Sequence, residues 1–191
     1  MDAYDTDVVR DFEKAFSGRK TVLVTLQGFS DLLSDSIVFA MRNAPQDWCW
    51  LLRLPPAHSH RKAELVSELK VNRISNYDLD ISNRASLYTL LKRVDQHVTY
   101  FSSVCYEALA FGINSIVTHA SSRELYLEYI NKGYFIYAAT GRDLLSSLRE
   151  NMVEEFIVEE TPYMVKDIKN ARKIVGSFLS RSFLGNHPSV R

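Results

Sequence analysis

The run Thr99-Tyr-Phe-Ser-Ser-Val-Cys-Tyr-Glu-Ala-Leu-Ala-Phe-Gly112 brings two adjacent serine hydroxyls, a thiol and a carboxylate close together in the chain. An apolar strand ends at Ser102 and Ser103, a helix follows, and Gly112 stops it. Backbone N–H groups at a helix start suit a phosphate, because they offer donors where the helix dipole favours negative charge. The two hydroxyls add further donors. Glu107 lies one turn into the helix, within reach of a ribose attached to that phosphate. The stretch reads as a nucleotide or nucleotide-sugar site. Ser102 and Ser103 also read as a helix cap alone, and Glu107 as a first-turn acid favoured by the dipole.

Other reactive side chains have plainer readings. His119 follows an apolar strand, so it falls at the same sheet edge as Ser102; it reads as a site residue or as a polar loop residue. Ser121-Ser-Arg-Glu124 reads as a capping box for the next helix. His58 and His60 resemble half of a metal site, but no acid, His or Cys cluster completes it. They read as surface-loop histidines, and no metal is expected. Cys49 and Cys105 sit in apolar surroundings and read as reduced, buried thiols. No Gly-x-Gly-x-x-Gly pattern occurs, so a nicotinamide cofactor is not expected. No other cofactor is called for, and the sequence does not assign a catalytic base.

The elements that must position these residues alternate along the chain. Residues 5–17 read as an amphipathic helix through Val8, Val9, Phe12, Ala15 and Phe16. A continuous apolar, β-rich run marks a strand at Thr21–Leu26, and further strands are read at Trp48–Leu54, Arg73–Tyr77, His97–Phe101, Asn114–Thr118 and Tyr134–Tyr137. Helical patterns separate them, with one following the Gln27–Ser30 turn to about Arg42 and one through Leu87, Leu90 and Leu91. Strand–helix alternation with short connections predicts an α/β fold: a Rossmann-like three-layer sandwich on a mostly parallel sheet of about six strands. Ligands in such sheets bind at the carboxyl ends of strands, where the strand order reverses. The expected organisation is an N-terminal amphipathic helix or linker at 1–20, the Rossmann-like domain at 21–155, a C-terminal helix at 156–180 and a flexible tail at 181–191. Thr161-Pro162 starts that last helix, which carries Val165, Ile168, Ala171, Val175 and Phe178 on one face.

Bulk composition narrows the partners. An apolar fraction of 46% and a charged fraction of 24% are those of a soluble globular chain. Formal net charge is zero, so no basic excess exists to neutralise nucleic-acid phosphates. No apolar run approaches the ~20 residues that span a bilayer. The opening Met1-Asp-Ala-Tyr-Asp5 is acidic and polar, unlike a secretion signal. A cytoplasmic protein is expected.

The region from about Thr21 to Asn151 resembles the C-terminal, donor-binding half of GT-B glycosyltransferases, nearest to bacterial enzymes that build surface polysaccharides. The residues that carry the resemblance are Ser102-Ser-Val-Cys-Tyr-Glu-Ala-Leu-Ala-Phe-Gly112 and the strand Ser115-Ile-Val-Thr118. The resemblance implies that Ser102, Ser103 and the helix start hold the donor diphosphate and that Glu107 holds the ribose. Leu51-Leu-Arg-Leu-Pro-Pro56 is similar to the family's strand that ends in a basic residue before a proline, which implies Arg53 near the diphosphate. Leu26-Gln-Gly28 resembles the first strand-to-loop turn, which implies Gly28 at the cleft. Pro-Pro stands where many relatives carry His-Pro. The implied ligand is a nucleoside-diphosphate sugar. The implied glycan acceptor belongs to an N-terminal half outside this sequence, so this half alone is expected to transfer sugar poorly. Half of a nucleotide-sugar epimerase, half of a polyol-phosphate transferase and a non-catalytic Rossmann-like interaction module remain as alternatives.

Overall fold

The computed structural model describes residues 3–150. The expected helix at 156–180 and tail at 181–191 lie outside the described residues. In chain order the elements are α1 (Ala3–Phe16), β1 (Thr21–Thr25), α2 (Asp35–Asn43), β2 (Cys49–Arg53), a 3₁₀ turn (Pro56–Arg61), α3 (Lys62–Val71) and β3 (Tyr77–Asp78). They continue with α4 (Ile81–Arg84), α5 (Leu87–Leu91), β4 (Gln96–Thr99), α6 (Val104–Ala110), β5 (Ser115–Val117), α7 (Ala120–Leu125), α8 (Leu127–Asn131), β6 (Phe135–Tyr137) and α9 (Gly141–Glu150).

Six strands form one sheet in the order β3-β2-β1-β4-β5-β6. Every neighbouring pair is parallel. β1 and β4 are the central pair, and Thr25 at the end of β1 is level with Arg53 on β2 and Thr99 on β4. Both faces are covered, which is why β1 and β4 are buried at every position. On one face Val22, Val24, Trp50 and Leu52 pack under α2, α3 and α9 through Ile37, Met41, Leu65 and Leu144. On the other, Leu23 and Leu51 meet Val8, Phe12 and Phe16 of α1, Leu90 of α5 and Ala108 of α6. This is the Rossmann-like sandwich expected from the alternation, with its order reversing between β1 and β4.

Three local expectations are corrected. The third strand does not start at Arg73. Arg73 takes φ 55° and closes α3: its N–H donates to the Lys70 carbonyl and the Ile74 N–H to Leu69, each at 3.0 Å. That left-handed helix end is usually glycine's, so an arginine there hides the boundary, and pairing begins only at Tyr77. The helix after β1 starts at Asp35 rather than just after Ser30, capped by the Ser34 hydroxyl accepting from the Ile37 N–H at 3.3 Å. The capping residue of α7 is His119, whose Nδ1 accepts from the Ser121 N–H at 3.2 Å, in place of the Ser121–Glu124 box.

The α2–α9 contact leaves no room for a methyl group at one point. A Cβ built on Gly141 lies 2.5 Å from the Phe39 Cβ and 2.7 Å from its ring. Gly141→Ala must push the helices apart, and overpacking of this kind costs about 1–2 kcal/mol. Urea titration is expected to show a lower midpoint at unchanged slope. An unchanged midpoint would show that the two helices part freely.

Candidate nucleotide site at the sheet switch point

β1 and β4 are neighbours whose following loops leave toward opposite faces, which opens a crevice between their carboxyl ends. Gln27 spans it. Its amide oxygen accepts from the Phe101 N–H at 3.1 Å, and its amide nitrogen donates to the Phe101 carbonyl. The side chain thereby continues the β1–β4 ladder past the strand ends and fixes Ser102 relative to Gly28. Deeper, the fully buried His97 ties three strands, with Nε2 2.8 Å from Thr25 Oγ1 and Nδ1 2.7 Å from Ser115 Oγ. Burial pulls His97 down to about 3, so the imidazole is neutral at physiological pH.

Ser102 is half-buried and Ser103 exposed at the start of α6. Ser102 Oγ accepts from the Val104 N–H at 3.3 Å. Ser103 occupies the cap position with no side-chain capping bond, so its hydroxyl is not committed to the helix. The far end of α6 is fixed by Gly112 at φ 75°, with its N–H on the Leu109 carbonyl at 2.9 Å and Ile113 N–H on Ala108 at 3.0 Å. Cys105, just inside α6, is buried and its thiol is pushed up to about 11, and Cys49 likewise, so both are protonated and unreactive at neutral pH.

Arg53 and Glu107 face the same side of the sheet as α4, α5 and α6. Arg53 Nη1 donates to the Ser82 and Ala85 carbonyls, both at 2.8 Å, and burial lowers the guanidinium from its ordinary value. Among the described residues its Nε and Nη2 make no hydrogen bond. Asn83 clamps the same strand end, accepting from the Leu54 N–H at 2.9 Å and donating to the Leu52 carbonyl at 2.8 Å. Glu107 is half-buried beside Tyr88, and its carboxylate raises the Tyr88 hydroxyl above its usual range. Tyr88 carries no sequence signal: it is one aromatic in a short helix, and only the α5–α6 packing brings it to Glu107.

His119 packs against Phe101, Tyr100 and Phe29, with ring centroids 5.2, 6.4 and 6.3 Å away. It rims a second feature that the sequence does not flag, a cavity of about 990 Å³ on the α2–α3 side. Asp31, Asp35, Glu64 and Glu68 line it. Arg61 pairs with Glu64 at 2.6 Å. Burial pushes Glu68 up, with Asp31 and Glu64 adding to it. Tyr100 is driven up to about 12, first by burial and then by Glu68, Asp31 and Asp35. These carboxylates make the cavity wall on the α2–α3 side negative. No group of His, Cys, Asp and Glu among the described residues is arranged to hold a metal ion. No described helix is long and apolar enough to cross a membrane.

No protein-family profile matches the sequence, and no curated protein matches it. Solved structures do match in fold. The UDP-GlcNAc 2-epimerase of Methanocaldococcus jannaschii, in complex with UDP-GlcNAc and UDP, aligns with a TM-score of 0.58 at 17% identity over 90% of this chain and 48% of its own. The wall teichoic acid polymerase TagF aligns at 0.55 and 16% identity over 93% of this chain and 46% of its own. The C-terminal CMP-Kdo binding domain of WaaA from Acinetobacter baumannii aligns at 0.54 and 10% identity over 83% of this chain and 93% of its own. These are GT-B-like folds. The chain spans about half the length of the polymerase and the epimerase, and nearly all of the isolated CMP-Kdo domain. At such identities the likeness establishes the fold.

Proposed function

We propose that this chain is the nucleotide-sugar-binding half of a GT-B glycosyltransferase, working in the cytoplasm on surface-glycan synthesis. The observation that carries the reading is a set of polar groups sharing one side of the sheet near the carboxyl ends of its strands. An uncommitted hydroxyl on Ser103, a guanidinium with a free edge on Arg53 and a half-buried carboxylate on Glu107 all lie on one side of the sheet. The fold relatives add support: one is named for CMP-Kdo binding, and another was solved with UDP-GlcNAc and UDP.

In this reading Ser102, Ser103 and the first N–H groups of α6 hold the diphosphate. Arg53 Nη2 offsets the charge that builds on it as the anomeric bond breaks. Glu107, oriented by Tyr88, accepts from the ribose hydroxyls. The Gly28 turn forms the floor of the cleft, and His119 supports the Phe101 side. Fixed protein charge then does the work that a metal ion does elsewhere. The glycan acceptor and the base that activates it belong to a partner half. The same residues would serve half of an epimerase or of a polyol-phosphate transferase, since each must also hold a nucleotide leaving group.

A thermal-shift panel of UDP, GDP, CDP, ADP and CMP tests the reading. At about ten times its dissociation constant, a ligand that binds only the folded chain adds roughly 1.4 kcal/mol. For a chain of this size that is a rise of about 3–6 °C. One nucleotide is expected to raise the melting temperature, and Glu107→Ala should weaken its binding about tenfold. No rise with any of the five would leave the interaction-module alternative standing.

A further inference from the structure

The 3₁₀ turn after β2 carries an imidazole that the sequence reading leaves as a surface-loop residue. A Cβ built on Gly28 would lie 2.0 Å from His58 Nε2 and 2.6 Å from the two ring carbons beside it. The ring therefore rests directly on the Gly28 backbone, and the absence of a side chain at Gly28 is what admits it. Gly28 directly follows Gln27, whose amide is bonded to Phe101, and Phe101 directly precedes Ser102. Half-buried His58 thus stands at the mouth of the β1–β4 crevice, not out on the loop surface. Among the described residues its ring makes no hydrogen bond. The turn that presents it is pinned: Arg61 Nη2 donates to the Ser30 carbonyl at 2.8 Å, Arg61 Nη1 donates to the Phe29 carbonyl, and the His58 N–H reaches the Pro55 carbonyl at 2.8 Å.

An unspent ring N–H held at such a mouth is a donor awaiting an acceptor. Arg53 already spends one nitrogen on two backbone carbonyls, so the crevice gains from a second donor. We propose that His58 is a ligand-contacting residue of this crevice, donating a ring N–H to the phosphate oxygens of the nucleotide that Ser102 and Ser103 hold. Gly28 is its seat. The inference rests on the nucleotide-binding reading and names a contact within it.

Calorimetric titration of the full chain with UDP, GDP, CDP and ADP, and with inorganic pyrophosphate and the parent nucleosides, tests it. His58→Ala is expected to weaken the bound nucleoside diphosphate and pyrophosphate about tenfold each, with nucleoside affinity unchanged. His58→Gln, which keeps an N–H donor, should recover most of the loss. Gly28→Ala should reproduce the His58→Ala pattern, because the new methyl displaces the ring. Wild-type affinity in His58→Ala, with weakened binding in Ser102→Ala, overturns the contact and leaves the nucleotide site standing. Equal weakening of nucleoside and diphosphate overturns it too, by assigning His58 a structural role. A wild-type chain that binds none of the diphosphates overturns both the contact and the reading beneath it.

Discussion

Between pH 7.5 and pH 5 the folded chain is expected to lose about 2 kcal/mol of stability through His97 alone, and His97→Gln should remove that loss. His97 is wholly buried, and burial lowers it from an ordinary 6.5 to about 3. Between those values the unfolded chain takes up a proton that the folded chain refuses. The unfolded state therefore binds more protons, and stability rises with pH across that window and falls as the solution is acidified. Each unit is worth about 1.4 kcal/mol, so pH 5 sits about 2 kcal/mol down the slope. Acidification has a definite structural target. Both ring nitrogens already serve hydroxyls, Thr25 on β1 and Ser115 on β5, so an added proton must take over whichever nitrogen is accepting.

The check is a series of urea midpoints from pH 7.5 to pH 5, on wild type and on His97→Gln. Carboxylates titrate in the same range, but they do so in both proteins and cancel in the difference. Glutamine keeps an acceptor and a donor between the two strands without gaining charge. Parallel slopes for the two proteins would show that His97 does not control acid stability. The result matters for the site as well. Thr25 and Thr99 end the strands on either side of the crevice, with Thr99 Oγ1 on the Thr25 carbonyl at 2.9 Å. Disturbing the layer that His97 ties together should shift the Gly28 and Ser102 turns against each other before the sheet itself comes apart.

Much of this architecture is legible in the chain because buried parallel strands leave a strong mark. Thr21-Val-Leu-Val-Thr25 can be little else, and strand–helix alternation dictates parallel neighbours. The strand–Ser-Ser–helix junction is equally plain, because its hydroxyls are consecutive in sequence. Features assembled from distant segments are not. Arg73 closes a helix in a conformation that marks glycine elsewhere, so the third strand reads four residues too early. His119 looks like a polar loop residue until its ring nitrogen is seen to cap α7. Asp31, Asp35, Glu64 and Glu68 come from a loop and two helices, and only their packing makes a negative cavity of them. The seat of His58 on Gly28 joins residues thirty positions apart, and no local spacing rule reports such a contact.

Arg53 shows the same gap most sharply, and it carries the second large expected effect. Arg53→Ala should cost about 3 kcal/mol, because the Ser82 and Ala85 carbonyls lie in buried residues and lose a charged donor together. A fall in melting temperature of roughly 6–12 °C would report it. Arg53→Lys separates stability from binding. One ammonium can reach the two carbonyls, so stability should drop by only about 1 kcal/mol. It cannot also present the second edge of a guanidinium fork, so diphosphate affinity should fall more than tenfold. A lysine variant that binds nucleotide as wild type does would remove Arg53 from the ligand site, and an alanine variant of full stability would remove it from the scaffold. Pinning one nitrogen to α4 fixes where the other nitrogens point before any ligand arrives. A cation held in place by the fold loses little freedom on binding. Under the proposed function, the buried carbonyl contacts that look like a diversion of Arg53 from phosphate would instead preorganise it for phosphate.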